Sequence, residues 1–222
     1  MTTPEMVCRY VAGGVELGRS LDEPPWSEAP AYGPFRLHNG SANSAFATEV
    51  RTLWDGRRLY VAFRCEDQDI LATMTERDSP LYDEEVAEVF IAPRDLHNYF
   101  EFNVSPRGVV FDSLIHHDGV RFVGHPSWNC AGLEVVTERA VAPGQPTADA
   151  PAEGFGSWTA QLAIPFASLE ELTPRHGDRW AINFYRIKRR PVEEYSCWSP
   201  TLLEPAQFHV PSRFGTLRFV RE

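Results

Sequence analysis

The chain reads as an all-β protein, a mainly antiparallel β-sandwich of jelly-roll type with one short helix and long loops. Three observations predict this. Short segments alternate polar and apolar side chains, turn signals such as Asp55-Gly56 and Ser105-Pro106 separate them, and helical periodicity is nearly absent. That combination spells a sandwich or barrel. The 222 residues exceed a typical domain length, yet all-β sandwiches of this size fold as one unit. A single domain over 1–222 is expected, with 1–45 an irregular segment packed on it.

In chain order, Leu21 to Pro34 is rich in Pro and acidic residues around Trp26, an irregular stretch pinned by one aromatic anchor. Thr48-Glu-Val-Arg-Thr-Leu-Trp alternates, Asp55-Gly56 signals a hairpin, and Leu59-Tyr-Val-Ala-Phe-Arg-Cys continues extended. Val86–Ala92, Asn98–Val104 and Gly108–Ile115 follow as a three-strand meander. In the middle strand Phe100, Phe102 and Val104 form a core face, and Tyr99, Glu101 and Asn103 a polar one, because strand side chains alternate. Pro143 to Gly156 lacks periodicity and reads as a long mobile loop. Ser157–Ile164 is a strand stopped by Pro165, a short helix is expected over Phe166–Leu172, and Trp180–Ile187 and Phe214–Val220 complete the strands.

A formal net charge of -10 repels phosphate backbones and anionic lipids, so nucleic acid and membrane surfaces are poor partners and neutral or cationic ligands fit better. No stretch approaches the roughly 18 apolar residues of a membrane span. The start, Met1-Thr-Thr-Pro-Glu-Met, lacks a basic then apolar leader, so the chain as written is expected in the cytoplasm; a start lying further upstream would make it extracellular. Cys8, Cys65, Cys130 and Cys197 form no CxxC pair and are expected as free buried thiols. His116-His117-Asp118, with His125, is the best metal-like cluster, but adjacent strand residues point to opposite faces, which favours a solvated loop.

Nucleotide, zinc-protease and α/β-hydrolase motifs are lacking. Glu88 and Glu101, on neighbouring strands, are candidates for a glycosidase pair, which requires separations of roughly 5 Å or about 6.5–9.5 Å. Beside polar partners such as Asn103 and Arg186, carboxylates serve equally to hydrogen-bond sugar hydroxyls. Tyr82, in Leu81-Tyr-Asp-Glu-Glu, and Trp198, in Ser196-Cys-Trp-Ser-Pro, are the aromatic rings set in polar, turn-like contexts where stacking on a ligand is open to them.

Several ordered stretches make the chain resemble the family 9-like carbohydrate-binding modules from about Phe46 to the C-terminus. They include Leu53-Trp-Asp-Gly, Glu66-Asp-Gln-Asp-Ile, Val86-Ala-Glu-Val-Phe-Ile, Asn98-Tyr-Phe-Glu-Phe-Asn-Val-Ser-Pro-Arg-Gly, Gly177-Asp-Arg-Trp-Ala-Ile-Asn-Phe-Tyr-Arg and Phe208-His-Val-Pro-Ser-Arg-Phe-Gly. The resemblance implies a β-sandwich that clamps sugar chain ends between aromatic rings, helped by charged and amide side chains, with structural calcium in some members. It places one clamp on Tyr82, where the family uses Trp. The second would fall on Asn183-Phe-Tyr-Arg186, where no Trp stands, leaving Trp198 as a substitute. Glu88, Glu101, Asn103, Asn183 and Arg186 would supply polar contacts. Asp67 and Asp69 provide only part of the roughly six to eight oxygens calcium requires, which favours a surface turn there.

The leading expectation is a non-catalytic carbohydrate-binding protein with no cofactor, an exposed aromatic beside a polar groove, and no acid/base pair facing one cavity. One rival is a haem or electron-transfer domain of the DOMON type, for which Met74, Lys188 and His209 are the available axial ligands. The other is a glycoside-acting enzyme resting on Glu88 and Glu101.

Overall fold

The computed structural model describes residues 2–141, 156–170 and 172–221. Its strands are β1 (Glu5–Tyr10), β2 (Arg36–Leu37), β3 (Thr48–Trp54), β4 (Arg58–Asp67), β5 (Val86–Ala92), β6 (Asn98–Val104), β7 (Val110–His117), β8 (Phe122–His125), β9 (Glu134–Val141), β10 (Gly156–Pro165), β11 (Arg179–Lys188), β12 (Glu194–Cys197) and β13 (Gly215–Val220). They join in one sheet, ordered β8-β7-β6-β5-β11-β13-β1-β3-β4-β10-β9, with β12 and β2 branching from β11. The sheet is mixed and curls into a half-barrel. The all-β expectation holds, and apart from the parallel pairs of β1 the strands pair antiparallel, within one continuous sheet.

Local chemistry sets most of the pairing. The Asp55 carboxylate accepts the backbone N–H groups of Arg57 and Arg58, closing the β3–β4 hairpin with Trp54 opposite Leu59. β1 is different: it runs parallel to both β13 and β3, in the middle of the sheet. Residues 1–45 are thus not irregular throughout, since Met6 and Cys8 enter the main core from β1.

That core lies inside the curl. Val89, Phe102 and Phe184 from one half meet Phe63, Trp158 and Leu162 from the other, with the Phe63 and Phe184 rings edge-on at 5.9 Å. Both outer faces are covered too. Leu21, Trp26 and Ala29 pack on Leu53, Tyr60, Ala62 and Ala163, and the Trp26 indole N–H donates to Gln161 Oε1 at 3.0 Å. On the other half, Phe208 and Phe214 fold back over Phe90, Tyr99 and Tyr185. The polar face of β6, with Tyr99, Glu101 and Asn103, is consequently buried as well.

Other expectations shift. Instead of a helix over Phe166–Leu172 there is a single 3-10 turn at Phe166–Ser168, after which Glu170 takes a positive φ of 56°. The expected loop from Pro143 lies, except for Gly156, outside the described residues. His116 is exposed and His117 buried, as adjacent residues on β7 rather than in a solvated loop. All four cysteines are buried free thiols.

Gly215 opens β13 where two groups press on its backbone. A Cβ there would lie 2.4 and 2.6 Å from Trp198 ring carbons and 2.6 Å from the Pro4 carbonyl oxygen. Gly215→Ala is expected to cost about 1–3 kcal/mol through overpacking, read as a lower urea midpoint. An unchanged midpoint would show that the ring moves aside freely.

Candidate functional site

Strand alternation and register place the two acidic candidates side by side. On β5, Val86, Glu88 and Phe90 point outward; on β6, Tyr99, Glu101 and Asn103 do the same. Glu88 pairs with Asn103 and Phe90 with Glu101, so the two carboxyls are diagonal neighbours. Above them the C-terminal crossover and the β7–β8 hairpin leave an open cleft of about 530 Å³. Its floor carries Glu88, Phe90, Glu101, Ser113 and Ile115, and its aromatic rim includes Tyr82, Phe111, Phe122 and Tyr195.

Each wall has a local cause. Buried Leu81 anchors the Leu81–Asp83 turn and leaves the Tyr82 ring 44% exposed, edge-on to Phe111 at 6.0 Å. Arg189 donates to the Tyr82 carbonyl and to the Tyr195 hydroxyl, the latter at 2.6 Å, and pairs with Glu193. Opposite, Phe122 stacks on His209 at 3.6 Å between centroids. His209 Nδ1 lies 2.8 Å from the Tyr99 hydroxyl, and Nε2 lies 3.9 Å from Glu101 Oε2. Burial pulls His209 down to about 3, so it is neutral near pH 7.

The floor is electrostatically tense. Burial, then the neighbouring Glu101, pushes the Glu88 carboxyl well above the usual carboxylate range. Burial carries Glu101 up to about 7 against the hydrogen bond from Asn103 Nδ2 at 2.9 Å. Among the described residues Glu88 makes no hydrogen bond, although only 2% of its surface is exposed. The binding expectation foresaw no carboxyl pair facing one cavity; the structure places both there.

Tyr82, Glu88 and Glu101 therefore share the cleft, and Asn103 braces Glu101. Three candidates lie elsewhere. Asn183 holds the Ser199 backbone, donating to its carbonyl at 2.8 Å and accepting its N–H at 3.0 Å. Arg186 points into the half-barrel, donating to Thr48 Oγ1, the Glu66 carbonyl and Asp67 Oδ2. Trp198 packs edge-on to Tyr32 and Phe184 against the main core. Asp67 does not suit calcium: one oxygen accepts Arg186, and the other accepts Lys188 and the Gln68 and Asp69 N–H groups. Lys188 is likewise committed to Asp67 and Glu85 inside the core, away from His209 in the cleft, so those two candidate haem ligands do not converge.

Sequence reasoning missed Phe111, Phe122, Tyr195 and Arg189, and gave His209 another role. Phe111 had a signal, since it lies on a predicted strand beside a residue of core parity. The others reach the cleft through hairpin and crossover geometry that no local pattern encodes.

An aromatic-rimmed cleft with carboxyls on its floor, carried on a curled sheet, has the make-up of a small-ligand pocket. The sequence profile of carbohydrate-binding family 9 matches residues 42–219, and the chain belongs to that family. An "Extracellular protein" of Arthroderma benhamiae is 24% identical over 181 residues, 78% of each chain. Among solved structures, "a putative carbohydrate-binding protein" from Bacteroides uniformis superposes with a TM-score of 0.74 at 16% identity, covering 98% of this chain and 100% of that one. A family 9 module from Caldicellulosiruptor kristjanssonii in complex with glucose gives 0.66 at 13% identity, covering 98% and 96%. Its complex with cellotriose gives 0.61 at 13% identity, covering 98% and 94%.

Proposed function

We propose that this protein binds a sugar or oligosaccharide in the cleft without turning it over. The observation that carries the reading is the exposed Tyr82 ring standing beside two outward carboxyls in one open cleft, on strands inside the family-matched region. A pyranose has an apolar C–H face that stacks on such a ring, and hydroxyls that need the acceptors and donors Glu88, Glu101 and Gln207 provide. The bound glucose and cellotriose of the Caldicellulosiruptor module support the ligand class. The acidic net charge disfavours nucleic acid or anionic membrane as partner.

Glu88 and Glu101 facing one cleft is the specific observation in favour of glycosidase chemistry. Yet they rise from adjacent strands of one floor, whereas hydrolysis needs carboxyls flanking the scissile bond, one of them ionised. Burial opposes that ionisation at Glu88.

Calorimetric titration with mono- and oligosaccharides tests the proposal. Tyr82→Ala is expected to weaken sugar binding about tenfold, a stacked ring being worth roughly 1.4 kcal/mol, with little change in unfolding temperature because the ring is half exposed. Equal affinity in the variant would remove Tyr82 from the site, and release of reducing sugar from an oligosaccharide would replace binding with hydrolysis.

A further inference from the structure

The cleft contains more acid than a neutral sugar explains. Asp83, Glu88 and Glu101 line it, and Arg189 is the cation among its lining residues. Two of its three nitrogens are committed, Nη1 to Glu193 and Tyr195 and Nη2 to the Tyr82 carbonyl, while Nε has no hydrogen-bond partner among the described residues. Arg186 and Lys188 belong to the inner face and to Asp67 and Glu85. His209 is neutral near pH 7. Tyr185 and Cys197, which face Glu88 from β11 and β12, hold their protons because burial raises both, as it does Tyr99 beside Glu101. Arg189 thus reaches Glu88 only through its field, too weakly to offset burial and Glu101; among the described residues neither floor carboxyl pairs with a Lys or Arg, and Glu88 has no hydrogen bond.

Resting on the sugar-binding reading, we propose that the ligand is an amino sugar whose protonated amine sits on Glu88 and Glu101 beneath the aromatic rim. An ammonium brings one positive charge and three N–H donors, which answers an unpartnered carboxyl and its diagonal neighbour together. The rings of Tyr82 and Phe111 suit a cation as well as a pyranose face, while the Arg189 guanidinium already lies 5.3 Å from the Tyr195 ring centroid. Uronic acids and sugar phosphates would meet like charge.

Binding of the cation draws the floor carboxyls into their ionised form, so the proton they hold leaves to solvent. A neutral sugar needs no such release. Affinity for the amine therefore rises with pH as the carboxyls ionise, until the amine itself loses its proton.

The test is calorimetry with glucosamine, N-acetylglucosamine, glucose, cellotriose and putrescine at pH 6.5, in two buffers of different ionisation enthalpy. Glucosamine is expected to bind about tenfold or more tightly than glucose or N-acetylglucosamine, some 1.4 kcal/mol, with proton release seen for glucosamine alone. Glu88→Gln is expected to weaken glucosamine binding about tenfold; the proton release of the unaltered protein provides the readout should the variant fold poorly. Glucose or cellotriose binding as tightly as glucosamine overturns this inference and leaves the sugar-binding proposal standing. Putrescine matching glucosamine overturns the sugar part of it, and silence to every sugar overturns both proposals.

Discussion

Replacing Asp67 by alanine is expected to lower folding stability by about 3 kcal/mol, the low end of what removing one partner of a buried ion pair costs. Asp67 lies at the centre of a cluster sealed inside the half-barrel. Arg186 reaches one oxygen at 2.6 Å and Lys188 the other, and all three side chains are at most 2% exposed. The Lys188 ammonium also sits 4.6 Å from the Phe46 ring centroid. Without Asp67 two cations would be stranded. Glu85 limits the damage: it stands 3.0 Å from Lys188, and burial followed by Asp67 raises it to about 8. Once Asp67 is gone, Glu85 sheds its proton and becomes the surviving anion. The double variant Asp67→Ala with Glu85→Gln should therefore lose more than the two single losses added together. Urea midpoints of the four proteins at pH 7 form the cycle, and additivity within about 0.5 kcal/mol would show that the carboxyls do not share this load. The cluster also reaches the cleft. Glu85 follows the Tyr82 turn and Lys188 precedes Arg189, so the ion pairs tie both attachments of that wall to the core.

The strands legible in the sequence were those with unambiguous alternation. Val86–Ala92 and Asn98–Val104 match β5 and β6 residue for residue, and Asp55-Gly56 marks the hairpin it closes. β1 was not legible, because six residues near the start gain their place by parallel pairing with β13 and β3, whose partners are remote in sequence. The same limit separates the candidates that share the cleft from those that lie elsewhere. Glu88 and Glu101 follow from period-two alternation within neighbouring strands, and Tyr82 from its turn. Arg186 shares its parity with Phe184, an inward core residue, so alternation already argued against the cleft; a lone charge at a core position looks like a ligand contact until Asp67 and Glu85 are seen beneath it. Trp198 reads as exposed among serines, yet the backbone of Gly215 makes room for its ring.

Stability is expected to fall as pH rises from 6.5 to 8. A carboxyl raised by folding holds its proton in the native state after the unfolded chain has released it, so its stabilising contribution is complete below about 4.5 and is lost as pH climbs to the folded value. Glu85, at about 8, Glu101, at about 7, and Glu88, well above the usual range, all act in this direction. His209 acts oppositely: lowered to about 3, it adds stability as pH rises toward the ordinary histidine value near 6.5 and nothing further above it. Asp67, held below its usual range by hydrogen bonds and cations that outweigh burial, loses its contribution only in acid. The interval from 6.5 to 8 therefore isolates the raised carboxyls. With a limit of about 1.4 kcal/mol per pH unit for each group, the decline should be on the order of 2 kcal/mol, or about 4–8 °C in unfolding temperature for a chain of this size. Glu85→Gln keeps the side chain's volume and removes its titration, so its profile should be the flatter of the two, with the variant gaining on the unaltered protein toward pH 8. Thermal unfolding at half-unit steps decides it. A rising wild-type profile, or parallel declines in both proteins, would mean that Glu85 ionises freely inside the cluster and that Lys188 and Arg186 outweigh its burial.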